Sequence, residues 1–135
     1  MRIKDKIEEI EAYLSELQTI APKNFQVYVH DPKTKAACER YFEKIVEAVV
    51  DLVFLIIKDK NLKIPEDDKE AFDILAENNI ISKELSTKMR AAKGMRNIIA
   101  HEYGKIDNKI VFDSIVKELQ KDAREFLDEI KVVFK

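Results

Sequence analysis

From Ile3 the apolar residues Ile3, Ile7, Ile10, Leu14 and Leu17 recur at alternating steps of four and three, the seam of a helix that packs on one side and ends before Pro22. The stretch Pro22 to Pro32 holds two prolines together with Asn24, His30 and Asp31 and reads as a loop, with Asp31 and Thr34 as candidate N-caps of a second helix. That helix is long and runs from about Lys33 to about Lys60. Between Ile45 and Ile57 every residue is apolar except Glu47 and Asp51, so this helix is a rod wrapped by neighbours nearly all round. Its two carboxylates are expected to face an interior or a cleft. With Arg40 and Lys44 they form a polar stripe, Arg40, Lys44, Glu47, Asp51. The alternative is a solvated stripe or one satisfied by ion pairs within the helix.

Pro65 and the acidic run Glu66, Asp67, Asp68 mark the start of a short third helix that carries Phe72, Ile74 and Leu75 and stops at Asn78 and Asn79. Ser82 caps a fourth helix whose apolar positions are Leu85, Met89, Ala92, Met95 and Ile99. Gly104 and Asp107-Asn108 make the next break. The last helix holds Ile110 or Val111, then Phe112, Ile115, Leu119, Ala123, Phe126, Ile130 and Val133, almost to the C-terminus. The product is an all-α protein, an antiparallel bundle of four long helices plus one short helix, in a single domain over residues 1–135. Its composition agrees: 135 residues suffice for one core, and two glycines, three prolines and no tryptophan leave little turn material for a sheet.

Charge narrows the function classes. A net charge of −2 with 37% charged residues gives no global attraction to nucleic acid or to an anionic membrane, so any such function rests on a local patch. Cys38 stands alone, which excludes an internal disulfide and a multi-cysteine metal site and fits a small buried apolar residue in a reducing compartment. The start MRIKDKIEEI lacks the apolar region of a signal peptide, and no apolar run is long enough to span a bilayer. A cytoplasmic protein without membrane contact is expected.

Candidate chemistry concentrates at the end of the fourth helix. On a wheel turning ~100° per residue, Leu85, Met89, Ala92, Arg96 and Ile99 share a stripe, so Arg96 sits where the pattern reserves an apolar side chain. A guanidinium there needs a cleft or a carboxylate, and Glu47 and Asp51 have the complementary need. Arg96 is therefore expected to approach one or both of them at a crevice between the second and fourth helices. A second stripe holds Arg90, Lys93, Asn97 and His101, leading from surface cations to an amide and an imidazole. Lys83 to Arg96 carries five cations against one acid, and Glu66 to Glu77 six acids against one lysine. The basic helix suits a phosphate-bearing partner such as RNA, with Arg90 and Lys93 drawing in the polyanion. The alternative is that it pairs with the acidic third helix of the same or another copy. His101 exchanges protons near neutral pH, which cleavage of RNA by its own 2′-hydroxyl requires. Asn97 can fix its tautomer and Tyr103 brings a hydroxyl to the same rim, whereas His30 has no such company and reads as structural. No ligand pair has metal-site spacing and no glycine-rich phosphate loop exists, so neither a metal nor a cofactor is expected.

The segment Gly94-Met95-Arg96-Asn97-Ile98-Ile99-Ala100-His101-Glu102-Tyr103, followed by Ile106-Asp107, resembles the signature of the HEPN superfamily in its HepT-like form, and the likeness extends over essentially the whole chain. The resemblance implies a helical homodimer whose paired motifs meet in one cleft, metal-independent RNA cleavage, and the role of toxin in a toxin–antitoxin pair. It also implies a minimal nucleotidyltransferase as antitoxin, which in some relatives adds AMP to the motif tyrosine, here Tyr103. Arg96 would correspond to the phosphate and transition-state stabiliser and His101 to the acid–base group, the second proton transfer falling to the other copy's His101 or to water. Asn97 matches the polar residue after the arginine. Glu47 and Asp51 would be supporting acids, and Arg40 to Asp51 resembles the family's second helix. The rival reading is a helical module that has lost nuclease activity and only dimerises and binds a nucleotide or its partner.

Overall fold

A computed structural model of the chain describes residues 2–101 and 107–134. Among these residues the elements are α1 (Ile3–Ile20), α2 (Phe25–His30), α3 (Pro32–Asp59), α4 (Asp68–Glu77), α5 (Lys83–His101), α6 (Asn108–Asp113), a π turn (Ser114–Glu118) and α7 (Leu119–Val133), with no strand. Cross-contacts fix their directions. Lys6 and Tyr13 of α1 meet Asp51 and Lys44 of α3, Arg90 and Lys93 of α5 meet Asp73 and Asp68 of α4, and Ser82, the residue before α5, and Lys88 of α5 meet Glu129 and Asp122 of α7, each in reverse order. The bundle is therefore antiparallel, as the patterning predicts.

The rod at its centre is α3. Phe42, Ile45, Val46, Val49, Leu52, Val53 and Ile56 are all buried on it, covering most of its circumference. Asp31 caps its start, accepting from the N–H groups of Lys33 and Thr34, and Pro32 occupies the first turn, where its missing N–H costs nothing. Ile7, Ile10, Leu14 and Leu17 bury the α1 seam on this rod. Asp67 caps α4, Ser82 accepts from the N–H of Leu85 to cap α5, and Asn79 ends the α4 corner in the left-handed conformation at φ 59°. Cys38 is fully buried, and burial pushes its thiol up to about 11.

Two expectations need correction. The segment expected to be a loop between Pro22 and Pro32 contains α2, because Asn24 caps it by accepting from the N–H of Val27 and Tyr28 then fills the core, its ring 5.2 Å from that of Phe112. The Tyr28 hydroxyl donates to Glu39 Oε2 at 3.0 Å, so the buried phenol is satisfied, and burial holds its proton on well beyond the ordinary tyrosine range. Here the prolines bracket a short helix instead of a loop. The last helix begins at Asn108 and is interrupted by the π turn, which inserts one residue between the packing surfaces of α6 and α7. This resolves the choice between Ile110 and Val111: Val111 is buried and Ile110 is 53% exposed.

No helix among the described residues is long and apolar enough to cross a membrane. Phe126 is fully buried on α7 with its ring 6.4 Å from that of Phe72, edge to face, locking α7 to α4. Phe126→Ala is expected to destabilise the protein by about 3–5 kcal/mol in urea unfolding. A loss below about 1 kcal/mol would contradict this packing.

Candidate active site

Arg96 lies in the last two turns of α5, on the stripe that faces α3. Its Nη2 donates to Glu47 Oε1 of α3 and its Nη1 donates to Asn97 Oδ1 at 3.5 Å. The pairing inferred from the wheel is present. The Arg96 side chain is 21% exposed and that of Glu47 41%, so the ion pair lies at a water-reaching seam and escapes the full cost of a buried one. The Arg96 Nε is buried without an acceptor among the described residues, so the guanidinium keeps donor capacity beyond what Glu47 uses.

Asp51 departs from expectation. It is 65% exposed and pairs with Lys6 of α1 at 3.7 Å, so it is a surface acid and does not converge on Arg96. The reason lies in α1, whose Lys6 reaches this part of the seam while leaving Glu47 to α5. Arg40 likewise stays at the surface, paired with Glu43 at 3.3 Å. Lys44 turns to α1 and α3 aromatics, its Nζ 4.5 Å from the Tyr13 ring centre and 5.2 Å from that of Tyr41. The expected polar stripe therefore divides between two neighbours, and only Glu47 belongs to the Arg96 cluster.

The basic face of α5 meets the acidic α4 of the same chain. Arg90 pairs with Asp73 at 3.5 Å and Lys93 with Asp68 at 3.1 Å, while the Ser86 hydroxyl donates to Asp73 at 3.2 Å. Arg90 and Lys93, expected at a phosphate-facing surface, thus spend much of their charge inside the protomer, because α4 packs antiparallel along α5 with its acids in register. Asn97 lines a shallow groove of about 350 Å³ with Asp67, Asp68, Lys69 and Lys93. Sequence reasoning assigned nothing to Lys69, yet its ammonium lies over the α5 backbone, 3.7 Å from where a Cβ at Gly94 would stand. That spacing is ordinary contact, so the glycine is not required by it.

His101 is the exposed last residue of α5. At ~100° per residue, five positions place it about 140° around the helix from Arg96 and about 20° from Gly94. One protomer therefore brings together Arg96, Asn97 and Glu47, while His101 leaves α5 about 40° from Asn97 and about 140° from Arg96. Tyr103 lies outside the described residues. Among those described, no group of three His, Cys, Asp or Glu side chains is arranged to hold a metal ion.

A family model described as Ribonuclease HepT-like matches residues 3–130. The mRNA nuclease HepT of Shewanella oneidensis is 33% identical over 89 residues, 66% of this chain and 66% of that one, so the match spans just under two thirds of the relative. The tRNA nuclease HepT of Aphanizomenon flos-aquae is 28% identical over 119 residues, covering 88% of this chain and 81% of that one. The structure superposes with a TM-score of 0.89 on a tri-AMPylated HEPN toxin of Shewanella oneidensis in complex with its MNT antitoxin, at 28% identity over 98% of this chain and 99% of that one.

The Arg96–Glu47 pair yields its own test. In a double-mutant cycle with Arg96→Ala and Glu47→Ala, the two substitutions together are expected to cost less than their sum, with a coupling of about 1 kcal/mol after solvent screening. Additive losses would mean that the pair does not fasten α5 to α3.

Proposed function

The chain belongs to the ribonuclease HepT-like family, and from that premise we propose that it is a cytoplasmic, metal-independent endoribonuclease, the toxin of a toxin–antitoxin pair. We read residues 1–135 as one HEPN domain, a reading supported by the single cluster formed by its buried apolar residues. The observation that carries the function is Arg96, fixed by Glu47 at a water-reaching seam, five positions before an exposed imidazole at the end of the same helix.

In the proposed reaction His101 takes the proton of a ribose 2′-hydroxyl as that oxygen attacks the adjacent phosphorus. Arg96 neutralises the charge growing on the non-bridging oxygens, and its planar fork suits two of them at once. The bond to the 5′-oxygen breaks, that oxygen takes a proton from water, and the products are a 2′,3′-cyclic phosphate and a 5′-hydroxyl. Because the two side chains leave α5 about 140° apart, the reacting phosphate lies between Arg96 of one copy and His101 of a second, and the protein acts as a homodimer. Asn97, within reach of the guanidinium, orients Arg96.

The proposed antitoxin is a minimal nucleotidyltransferase that adds AMP to Tyr103. The support is the Shewanella oneidensis toxin, which is AMPylated and bound to an MNT antitoxin. AMP two positions beyond His101 in sequence adds bulk and negative charge that repels the phosphate backbone. Glu47 is the supporting acid. Asp51 and Arg40 have no direct part in this scheme, and Arg90 and Lys93 contact RNA only by exchanging their α4 partners for phosphates.

The pure protein is expected to degrade a mixed RNA in the presence of a chelator, leaving cyclic phosphate ends. His101→Ala, with its fold retained, is expected to lower the rate by about 10²–10⁴, and Arg96→Ala by about 10²–10³. Equal background from wild type and His101→Ala would favour the inactive binding module instead.

A further inference from the structure

Between α5 and the π turn lies a cavity of about 260 Å³ that the proposed cleavage reaction does not use. Phe42, Ala92, Met95 and Leu119 give it an apolar lining, and Lys88, Ser114 and Asp122 supply polar groups. Its size suits one ring system, since an apolar cavity of about 150 Å³ already accepts a benzene ring and drug-sized ligands need more than this cavity offers. Ala92 lies one helical turn before Arg96, a rise of about 6 Å along α5. A flat group held at Ala92 would therefore belong to a nucleotide next to the phosphate at Arg96.

Asp122 is the unusual member of the lining. Its side chain is only 14% exposed, and its nearest cation, Lys88, stands 4.0 Å away while making a closer pair of 3.2 Å with Glu84. No hydrogen bond reaches the Asp122 carboxylate among the described residues. Burial pushes this carboxyl above its ordinary range, with Lys88 and Lys121 opposing the shift and Glu125 adding to it. A largely covered carboxylate whose nearest cation stands 4.0 Å away gains little from the fold that carries it, and such groups gather where a ligand uses them. The π turn is an independent sign. It places Ser114 and Glu118 at the cavity by an insertion that breaks the helix ladder, a device found often at functional sites.

We propose that this cavity is a nucleobase subsite for the RNA strand, taking an unstacked base against Phe42, Ala92 and Met95 with its exocyclic amino group donating to the Asp122 carboxylate. Unstacked bases are commonly read in this way, a face on apolar side chains and an edge on a hydrogen-bonding group, and a carboxylate selects the amino group of cytosine or adenine over the carbonyl of uracil. The inference rests on the ribonuclease reading and deepens it. Asp122 is a specificity-determining residue and not a catalytic one.

The test maps cut sites in a mixed-sequence RNA for wild type, Asp122→Leu and Ala92→Leu, with thermal melts of each protein. Wild type is expected to prefer cytidine or adenosine over uridine about tenfold at one fixed position beside the cut. Both variants are expected to cut RNA with that preference reduced to about twofold or less, Asp122→Leu by removing the acceptor and Ala92→Leu by filling the cavity. Asp122→Leu is also expected to melt higher than wild type. RNA cut without base preference by wild type, or with the same preference by both variants, overturns the subsite and leaves the ribonuclease reading intact. RNA left uncut by wild type overturns both. Inhibition by cytidine monophosphate as strong as that by a cytidine pentanucleotide marks a free-nucleotide site and overturns the assignment to the strand.

Discussion

The guanidinium of Arg96 occupies a place on α5 that the packing pattern otherwise gives to apolar side chains, and Glu47 on α3 is what makes that place tenable. Without the carboxylate the charge would face the flank of a helix whose neighbouring residues Val46, Ala48 and Val49 are all buried. With it, the end of α5 is fastened to the central element of the bundle. That attachment fixes the orientation of the whole Arg96 to His101 segment and with it the direction in which each side chain leaves the helix. Solvent reaches the pair, so the guanidinium is held yet remains available to an anion.

Most of the fold was legible because its periodicities are long and its caps ordinary. The α1 seam, the enclosed α3 rod and the Ser82 cap of α5 follow from spacing and residue type alone. The Arg96–Glu47 contact was legible for a different reason: two misplaced charges on two helices with complementary needs. Asp51 was misjudged because sequence spacing reports which face of α3 it shares with Glu47 and says nothing of Lys6, contributed by another helix. The helix α2 was hidden by its flanking prolines, although Asn24 and the Phe25 to Tyr28 spacing were there to be read. The π turn and the burial of Asp122 depend on how α6 and α7 settle on α5, and no local pattern encodes that.

The charge distribution places a limit on how the surface can serve an RNA strand. The basic run on α5 and the acidic run on α4 cancel within one protomer through Asp68 and Asp73. Steering by a broad positive field is therefore weak, and recognition falls to fewer, better-placed groups. Arg96 on α5, Lys69 of α4 beside Gly94, and the cavity that holds Asp122 of α7 are such groups, all packed against α5. On the proposed reading this economy has a use, because a single added phosphate would then change the local charge decisively.

In the proposed reaction the site is composite, with Arg96 from one copy and His101 from the other, because the two side chains leave α5 about 140° apart. The most direct measurement mixes two variants, Arg96→Ala and His101→Ala, each inactive alone, under conditions in which subunits exchange. A composite site across a two-fold axis restores about a quarter of wild-type cleavage at equal mixing, since half the dimers are mixed and each of those keeps one complete pair. A mixture as inactive as its components, with exchange demonstrated, would contradict it and return both residues to a single protomer.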